Sequence, residues 1–347
     1  MRSVWILTVA VIIIAACESG TTATSSTATT PTPPTEATTT SMAPTTTSTT
    51  TSSNANDSRV QAVIEVGTLP RGVAFFDGNV WVANARDASV SRVDPSSEAE
   101  AAEVATGETP ITLMVLGDSL WVSVIGEEQG VVEENALENI DPETNTVAAS
   151  WPVPIFHNTA AGAGLLWAFD SQNSLQAIEP ETGQIAGTIE VGGSVQTIAA
   201  TDETVWGAQT SGRIWKVDIG EMAVVAEFDT NDLVPGRSRI AATPGGAALA
   251  YKETLVVVDD DTESFEVVPM PSLRNVNDLV MVEEALWLSG TVVSDSGTMG
   301  VLLAIDPTTG EVIDTYELGP EPAGVSVGAG SIWVGDQVEN VLYRLGR

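Results

Sequence analysis

The stretch GNVWVAN, residues 78–84, sets a tryptophan among aliphatic residues directly after a turn signal. The same arrangement returns at intervals along the rest of the chain. The tryptophans of its six copies are Trp81, Trp121, Trp167, Trp206, Trp287 and Trp333. Short runs of aromatic, aliphatic and β-branched residues bounded by Gly, Asn or Asp are typical of strands. Each copy therefore predicts one strand at a fixed place in a repeating unit.

One copy of the unit lacks its tryptophan. The interval from Trp206 to Trp287 is about twice the others, and IAATPGGAALAYK, residues 240–252, lies within it. Aligning its IAAT with IAATDETVW, residues 198–206, puts Ala248 at the tryptophan position. The seven positions are then separated by 40, 46, 39, 42, 39 and 46 residues.

Each unit has room for four short strands separated by turns. An acidic residue, often followed by proline, marks the turn after the third strand. In the first six units this residue is Asp94, Asp141, Glu179, Asp218, Asp259 or Asp306. A period of about 40 residues with four strands is the signature of a β-propeller. The sequence therefore predicts an all-β fold, a seven-bladed β-propeller.

The two ends of the repeating region complement each other. The last unit, from Glu321, holds three predicted strands instead of four. The segment RVQAVIEVG, residues 59–67, precedes the first unit and matches QIAGTIEVG, residues 184–192, which is the fourth strand of the third unit. We therefore predict that the N-terminal strand completes the last blade. Closure of this kind leaves the ring with only short, protected edges.

The first residues are typical of an export signal. Arg2 precedes an apolar run from Trp5 to Ala16, which is shorter than the roughly 20 apolar residues that span a bilayer. The run ends at Cys17, the single cysteine of the chain. Residues 14–17, IAAC, resemble the lipobox of bacterial lipoproteins, and the resemblance implies cleavage before Cys17 and lipid attached to it. The alternative is an ordinary signal peptide with an incidental cysteine.

The next region consists mainly of Thr, Ser and Pro and has almost no apolar residue to bury, which predicts disorder. We expect a signal peptide at residues 1–16, a lipid-anchored disordered stalk at residues 17–57 and the propeller at residues 58–347. As a flexible coil the stalk spans roughly 35 Å on average. The expected location is the outer face of a bacterial cytoplasmic membrane, where the lipid on Cys17 attaches the protein.

The chain is strongly acidic, with 47 Asp and Glu against 13 Lys and Arg and a formal net charge of −34. Such a charge repels nucleic acids and anionic lipid headgroups, so we expect no nucleic-acid partner. A saline environment, a basic partner, cation binding and the plain solubility of an extracellular surface all fit this composition. We expect a monomer.

The channel mouth is the expected site. In propellers the first strand of each blade lines the central channel, and the loops that enter these strands meet at one end. Counting ten or nine residues back from the tryptophan positions gives a polar set: Arg71, His157, Asn158, Gln196, Arg239, Asn277 and Asp278. A convergent polar cluster at a concave mouth is the default hypothesis for a ligand site, here for a polar or anionic ligand. The alternative is a water-filled channel whose lining is merely solvated.

Two long insertions offer a second surface at the same end of the ring. They occupy residues 125–139, after Trp121, and residues 289–300, after Trp287. Long loops on a rigid ring are often functional, and the first insertion carries four glutamates that suit a basic partner or a cation. Insertion without function is the equal alternative.

The units VWVANARDASVSRVDP, residues 80–95, and TGQIAGTIEVGG, residues 182–193, resemble the YVTN-type and virginiamycin B lyase-like propellers of bacteria. The resemblance extends from about residue 58 to the end of the chain and implies the propeller fold. The lyase relatives imply a metal-assisted elimination that uses histidines with a glutamate. This chain has one histidine, His157, so that chemistry is not carried over.

The sequence shows no nucleophile elbow, phosphate-cradling loop or His/Cys metal spacing, and we expect neither a metal nor a cofactor. DDDTES, residues 259–264, lacks the glycine and the distal glutamate of an EF-hand loop and predicts a solvated turn. The expected function is a cell-surface scaffold that binds a small molecule, a wall component or a protein. The alternative is an enzyme of the lyase or hydrolase type with its site at the channel mouth.

Overall fold

A computed structural model describes residues 57–128, 131–132, 135–153, 159–230, 236–294 and 297–346. All of the regular structure in these residues is β-strand, and every pairing is antiparallel. The expected signal peptide, Cys17 and nearly all of the expected stalk lie outside the described residues. Within them, no helix of the length and apolar character needed to cross a membrane is found.

The described strands form seven four-stranded sheets and one small hairpin. The chain begins with β1 (Val60–Glu65). Blade 1 contains β2 (Pro70–Phe76), β3 (Asn79–Asn84), β4 (Ser89–Asp94) and β5 (Ala99–Ala105). Blade 2 contains β6 (Thr109–Leu116), β7 (Ser119–Ile125), the hairpin of β8 (Glu127–Glu128) and β9 (Val131–Val132), then β10 (Ala136–Asp141) and β11 (Thr146–Pro152). Blade 3 contains β12 (Ala160–Gly162), β13 (Leu165–Phe169), β14 (Ser174–Ile178) and β15 (Ile185–Glu190).

The remaining four blades follow the same plan. Blade 4 contains β16 (Val195–Ala200), β17 (Thr204–Gln209), β18 (Arg213–Asp218) and β19 (Ala223–Asp229). Blade 5 contains β20 (Arg239–Thr243), β21 (Gly246–Tyr251), β22 (Thr254–Asp259) and β23 (Ser264–Pro269). Blade 6 contains β24 (Leu273–Val282), β25 (Ala285–Ser294), β26 (Gly297–Ile305) and β27 (Val312–Leu318). Blade 7 contains β28 (Pro322–Gly328), β29 (Ser331–Asp336) and β30 (Val341–Leu345).

The N-terminal strand closes the ring. The sheet of blade 7 has the order β1-β30-β29-β28, with Ile64 opposite Leu342 and Glu65 opposite Val341. Ile64 is 4% exposed and packs with Trp333 and Leu342. The predicted seven-bladed propeller, with its last blade completed by the N-terminal strand, is confirmed.

The tryptophan positions share one register throughout the ring. Each lies on the second strand of its blade and pairs with the residue seven positions earlier on the first strand, as Trp81 does with Ala74. Ala248 pairs in the same way with Ala241, so its assignment to the missing position is confirmed. In blades 1, 3 and 7 the indole N–H donates to the carbonyl O of the last residue of the first strand, as in the 3.0 Å hydrogen bond from Trp333 Nε1 to Gly328.

The apolar core lies between the blades. Seven clusters of buried residues each join two neighbouring blades, and each contains one of the seven tryptophan positions. Between blades 5 and 6, where Ala248 stands, the large side chains of Leu255, Leu286, Leu288 and Leu303 belong to the cluster. The tryptophan repeat is thus the means by which each blade packs on the next.

Candidate functional site

The first strands of the blades surround a central channel. The strands β2, β6, β12, β16, β20, β24 and β28 contact one another in this order, and β28 contacts β2 again. The space that they enclose is a cavity of about 980 Å³. Here the mouth denotes the end of the channel at which these inner strands begin, near Arg71, Ile111, Arg239 and Asn277.

At the mouth, the inner strands of five blades contain β-bulges. The pairing between the first and second strands shifts register there, so that a residue of the inner strand has no partner opposite it. The residues at these shifts are Arg71 and Gly72 in β2, Ile111 in β6, Gln196 in β16, and Arg274 and Asn277 in β24; a like shift in β28 falls at Gly324. Bulges bend a strand, re-aim a side chain and are common beside active sites and at barrel rims.

Arg239, Asn277 and Asp278 form a polar group that joins blades 5, 6 and 7. The Nε of Arg239 donates to the carbonyl O of Asn277 at 2.8 Å. The Nδ2 of Asn277 donates to the carbonyl O of Pro322 at 2.7 Å. The Oδ2 of Asp278 accepts from the backbone N–H of Val325 at 3.1 Å. The side chains at the mouth therefore also hold neighbouring blades together.

Burial has the largest effect on the charges of this group. It raises the pKa of Asp278, while the charge of Arg239 and two backbone N–H groups act in the opposite direction. Burial lowers the pKa of Arg239, Asp278 opposes this, and the like charges of Arg237 and Arg71 lower it further. Partly desolvated charges in a concave site cost folding free energy, and such groups are candidates for function.

The structure brings together four of the residues predicted from the sequence. Arg71, Arg239, Asn277 and Asp278 all line the cavity. Gln196 instead contacts the neighbouring blade, where its Oε1 accepts from the backbone N–H of Ser238 at 3.3 Å.

Two of the predicted residues, His157 and Asn158, lie outside the described residues. The inner strand of blade 3 begins, as described, at Ala160. Nothing in the structure therefore tests their place at the mouth, and they remain predictions.

Three further basic residues that the sequence count passed over also line the cavity. They are Arg237, Lys252 and Arg274. A count of one or two residues per blade does not reach them, because Arg237 precedes β20 and Lys252 follows β21. The available signal was the pair of arginines in RSR, residues 237–239, and the single Arg274 three residues before Asn277, in a chain with few basic residues.

The two insertions start from the mouth end of their blades. In blade 2, Ile125 at the end of β7 pairs with Thr109 at the beginning of β6. In blade 6, β25 and β26 extend as a hairpin in which Ser294 pairs with Gly297. The side chains of residues 127–134 and 294–296 lie outside the described set, so the acidic surface expected at residues 125–139 stays a prediction.

Buried polar residues at the ends of the second strands have structural roles. The Nδ2 of Asn84 donates to Ser91 Oγ at 2.8 Å, and the Nε2 of Gln209 donates to the carbonyl O of Gly192 at 2.8 Å. Asp336, which is fully buried, accepts three backbone N–H bonds in the loops on either side of it. Such residues satisfy polar groups that would otherwise be buried without partners.

Among the described side chains, no group of three or more His, Cys, Asp or Glu residues is arranged to hold a metal ion. Neither a protein-family model nor a curated protein matches this chain. The assignment of the fold therefore rests on the strand order and on the register of the repeat, and the functional argument rests on the mouth itself.

Proposed function

We propose that this protein is a lipid-anchored binding protein of the bacterial cell surface, whose propeller takes up a small polar ligand at the channel mouth. The observation that supports the proposal most directly is the convergence of Arg71, Arg239, Asn277 and Asp278 on one cavity of about 980 Å³. A concave site of this size with convergent polar groups is the usual form of a small-molecule site.

The hydrogen bonds of Asp278 favour binding over catalysis. Its Oδ1 accepts from the N–H of Leu279 at 2.9 Å, and its Oδ2 accepts from the N–H of Val325 at 3.1 Å. Each oxygen keeps a lone pair, but the two bonds hold the carboxylate in one orientation, whereas a general base must be directed at the proton that it removes. A carboxylate held by two backbone donors is suited to joining the inner strands of blades 6 and 7. Its negative charge also stabilises the positive charge of Arg239.

We also propose that the chain belongs with the YVTN-type and virginiamycin B lyase-like propellers. The support is the likeness of residues 80–95 and 182–193 to their repeats, together with the seven blades. The elimination chemistry of the lyases is not part of this proposal, because the sequence has a single histidine.

Blocking the mouth is expected to abolish small-molecule binding. Ile111 lines the cavity at a bulge, so Ile111→Trp narrows the mouth without altering its charge. Thermal unfolding of the full chain with citrate, inorganic phosphate, glucuronate, N-acetylglucosamine and calcium tests this. A ligand present at about 100 times its dissociation constant adds about 2.7 kcal/mol, which raises the melting temperature by several degrees in the unmodified chain but not in Ile111→Trp.

The matched control is Val115→Trp. Val115 lies on the same strand, is 43% exposed and is not among the cavity residues, so its replacement is expected to leave the ligand shift intact. Equal shifts in both variants would place the ligand elsewhere. No shift with any compound would favour a protein partner, which is then sought by pull-down with and without residues 125–139.

Cys17→Ser is expected to release the protein from the membrane. A serine has no thiol to carry the lipid. Neither the predicted stalk nor the apolar run from Trp5 to Ala16, which is shorter than the roughly 20 residues of a bilayer span, replaces it. In fractionated bacterial cells, the unmodified protein is expected in the membrane fraction and the Cys17→Ser variant in the soluble exported fraction. Adding Ser19→Cys to the Cys17→Ser variant tests whether anchoring requires the thiol at residue 17. The double variant has a thiol two residues away and is not expected to regain the anchor. Retention of Cys17→Ser in the membrane would refute the anchor.

A further inference from the structure

The basic residues are concentrated at the cavity. Of the 13 Lys and Arg in the sequence, Arg2 and Arg347 lie outside the described residues, which leaves eleven. Five of the eleven line the cavity: Arg71, Arg237, Arg239, Lys252 and Arg274. The carboxylates among the described lining residues are Asp278 and Glu321. The lining is therefore positive within a chain whose net charge is −34.

Basic side chains elsewhere are largely neutralised by the chain itself. The ion pairs are Arg59 with Asp57 and Asp314, Arg213 with Glu227, Lys216 with Asp260, and Arg344 with Glu98. Among the described residues, none of the five cavity cations has a carboxylate oxygen within 4.0 Å. Carboxylates are in excess in this acidic protein. A group of basic side chains that share one cavity and have no carboxylate within ion-pair distance therefore needs a separate explanation.

Three of these arginines act on one another. The charges of Arg71 and Arg237 lower the pKa of Arg239, in addition to the effect of burial. Like charges that share a cavity repel, and the low-dielectric walls of a cleft strengthen their field. A bound anion relieves this repulsion, whereas a neutral ligand does not.

Uncharged polar atoms in the lining add hydrogen-bonding capacity. Thr159 is 5% exposed, and its Oγ1 has no hydrogen-bond partner among the described residues. The Oδ1 of Asn275, which is also buried, has none there either. Both residues line the cavity. A hydroxyl can donate to an anion, and an amide oxygen can accept from a hydroxyl of the same ligand.

We infer that the mouth binds a small molecule with at least two negative charges on phosphate or carboxylate groups, held by Arg71, Arg237 and Arg274. This inference rests on the proposed function and names the chemical class of its ligand. Arginine presents a planar fork of donors that matches carboxylate and phosphate oxygens in pairs. Arg71, Arg237 and Arg274 are exposed to the channel opening, while Arg239 is fixed by the carbonyl O of Asn277 and supplies charge behind them.

The test is calorimetric titration of the full chain, purified in detergent, with pyrophosphate, citrate and glucose. Pyrophosphate and citrate are expected to bind, and glucose is not. The ratio of the two dissociation constants shows whether the site prefers phosphate or carboxylate groups. The double variant Arg237→Gln, Arg274→Gln is expected to weaken anion binding at least about tenfold, since it removes two of the three forks. A rise in NaCl concentration is expected to weaken it further, because salt screens the attraction.

The matched control is Arg86→Gln. Arg86 is exposed, follows β3 at the mouth end of blade 1 and is not among the cavity residues. Because solvent screens its charge, its loss is expected to change affinity less than about twofold. An equal loss in Arg86→Gln and in the double variant would overturn the inference in favour of a diffuse charge effect.

The remaining outcomes separate this inference from the function on which it rests. Binding of glucose or N-acetylglucosamine alone, abolished by Ile111→Trp, would refute the anion and retain a small-molecule site at the mouth. Absence of binding by every probe, with capture of a protein through residues 125–139, would refute both.

Discussion

A fragment that starts at Leu69 is expected to unfold at least about 10 °C below one that starts at Asn56. The shorter fragment lacks β1, so the backbone groups of β30 lose their pairing from Val341 to Leu345. It also lacks Ile64, whose burial is worth roughly 1.5–3 kcal/mol. With about 1 kcal/mol for each lost hydrogen bond, the deficit reaches about 5 kcal/mol, and each kcal/mol corresponds to about 2 °C in a domain of this size.

Calorimetry or circular dichroism measures the two melting temperatures, and a peptide added in trans supplies the control. A peptide of residues 56–68 is expected to restore much of the stability of the shorter fragment, and a scrambled peptide is not. Within the longer fragment, Ile64→Ala is expected to cost roughly 2–4 kcal/mol. Gln61→Ala, on the same strand but exposed, is expected to cost little. Equal melting of the two fragments would mean that β1 does not hold the ring closed.

The number of blades was predictable because each of the seven contacts between blades requires a residue at the same position of the repeat. Each tryptophan position packs between two blades and keeps the same register with its first strand, so the spacing survives even where Ala248 replaces the indole. The closing strand was predictable for a related reason. The match of residues 59–67 with residues 184–192 reflects the alternating burial that any fourth strand needs.

The site was only partly predictable, because bulges change where a side chain points. Counting back from the tryptophans found Arg71 and Asn277, which lie at bulges and line the cavity. The same count found Gln196, also at a bulge, which bonds to the next blade instead. An inserted residue breaks the alternation on which sequence patterns depend. Arg274 lies at a second bulge in β24, which no spacing rule anticipates.

Gly324→Ala is expected to lower stability by about 3 kcal/mol or more. Gly324 has a φ of +55°, where a residue with a Cβ pays about 1 kcal/mol or more. The added Cβ would also overlap the carbonyl O of Arg71 and come within 2.9 Å of the backbone N of Val73. These are backbone atoms of the first blade, at the place where blade 7 meets it. They cannot move without displacing β2 or β28, so the steric cost adds to the conformational one.

Gly330→Ala separates the two costs. Gly330 lies in the same blade with a φ of +74°, and a Cβ added there meets nothing within 4 Å. It is expected to lose only the conformational part, about 1 kcal/mol, in urea unfolding. The difference between the free energies of unfolding of the two variants then measures how tightly β28 of blade 7 packs on β2 of blade 1, a contact that is called the seam below. Because that seam fixes the backbone of Arg71, Gly324→Ala is also expected to weaken anion binding under folded conditions, and Gly330→Ala is not. Equal losses of stability would show a seam loose enough to admit a methyl group, and the position of Arg71 would then depend on β2 alone.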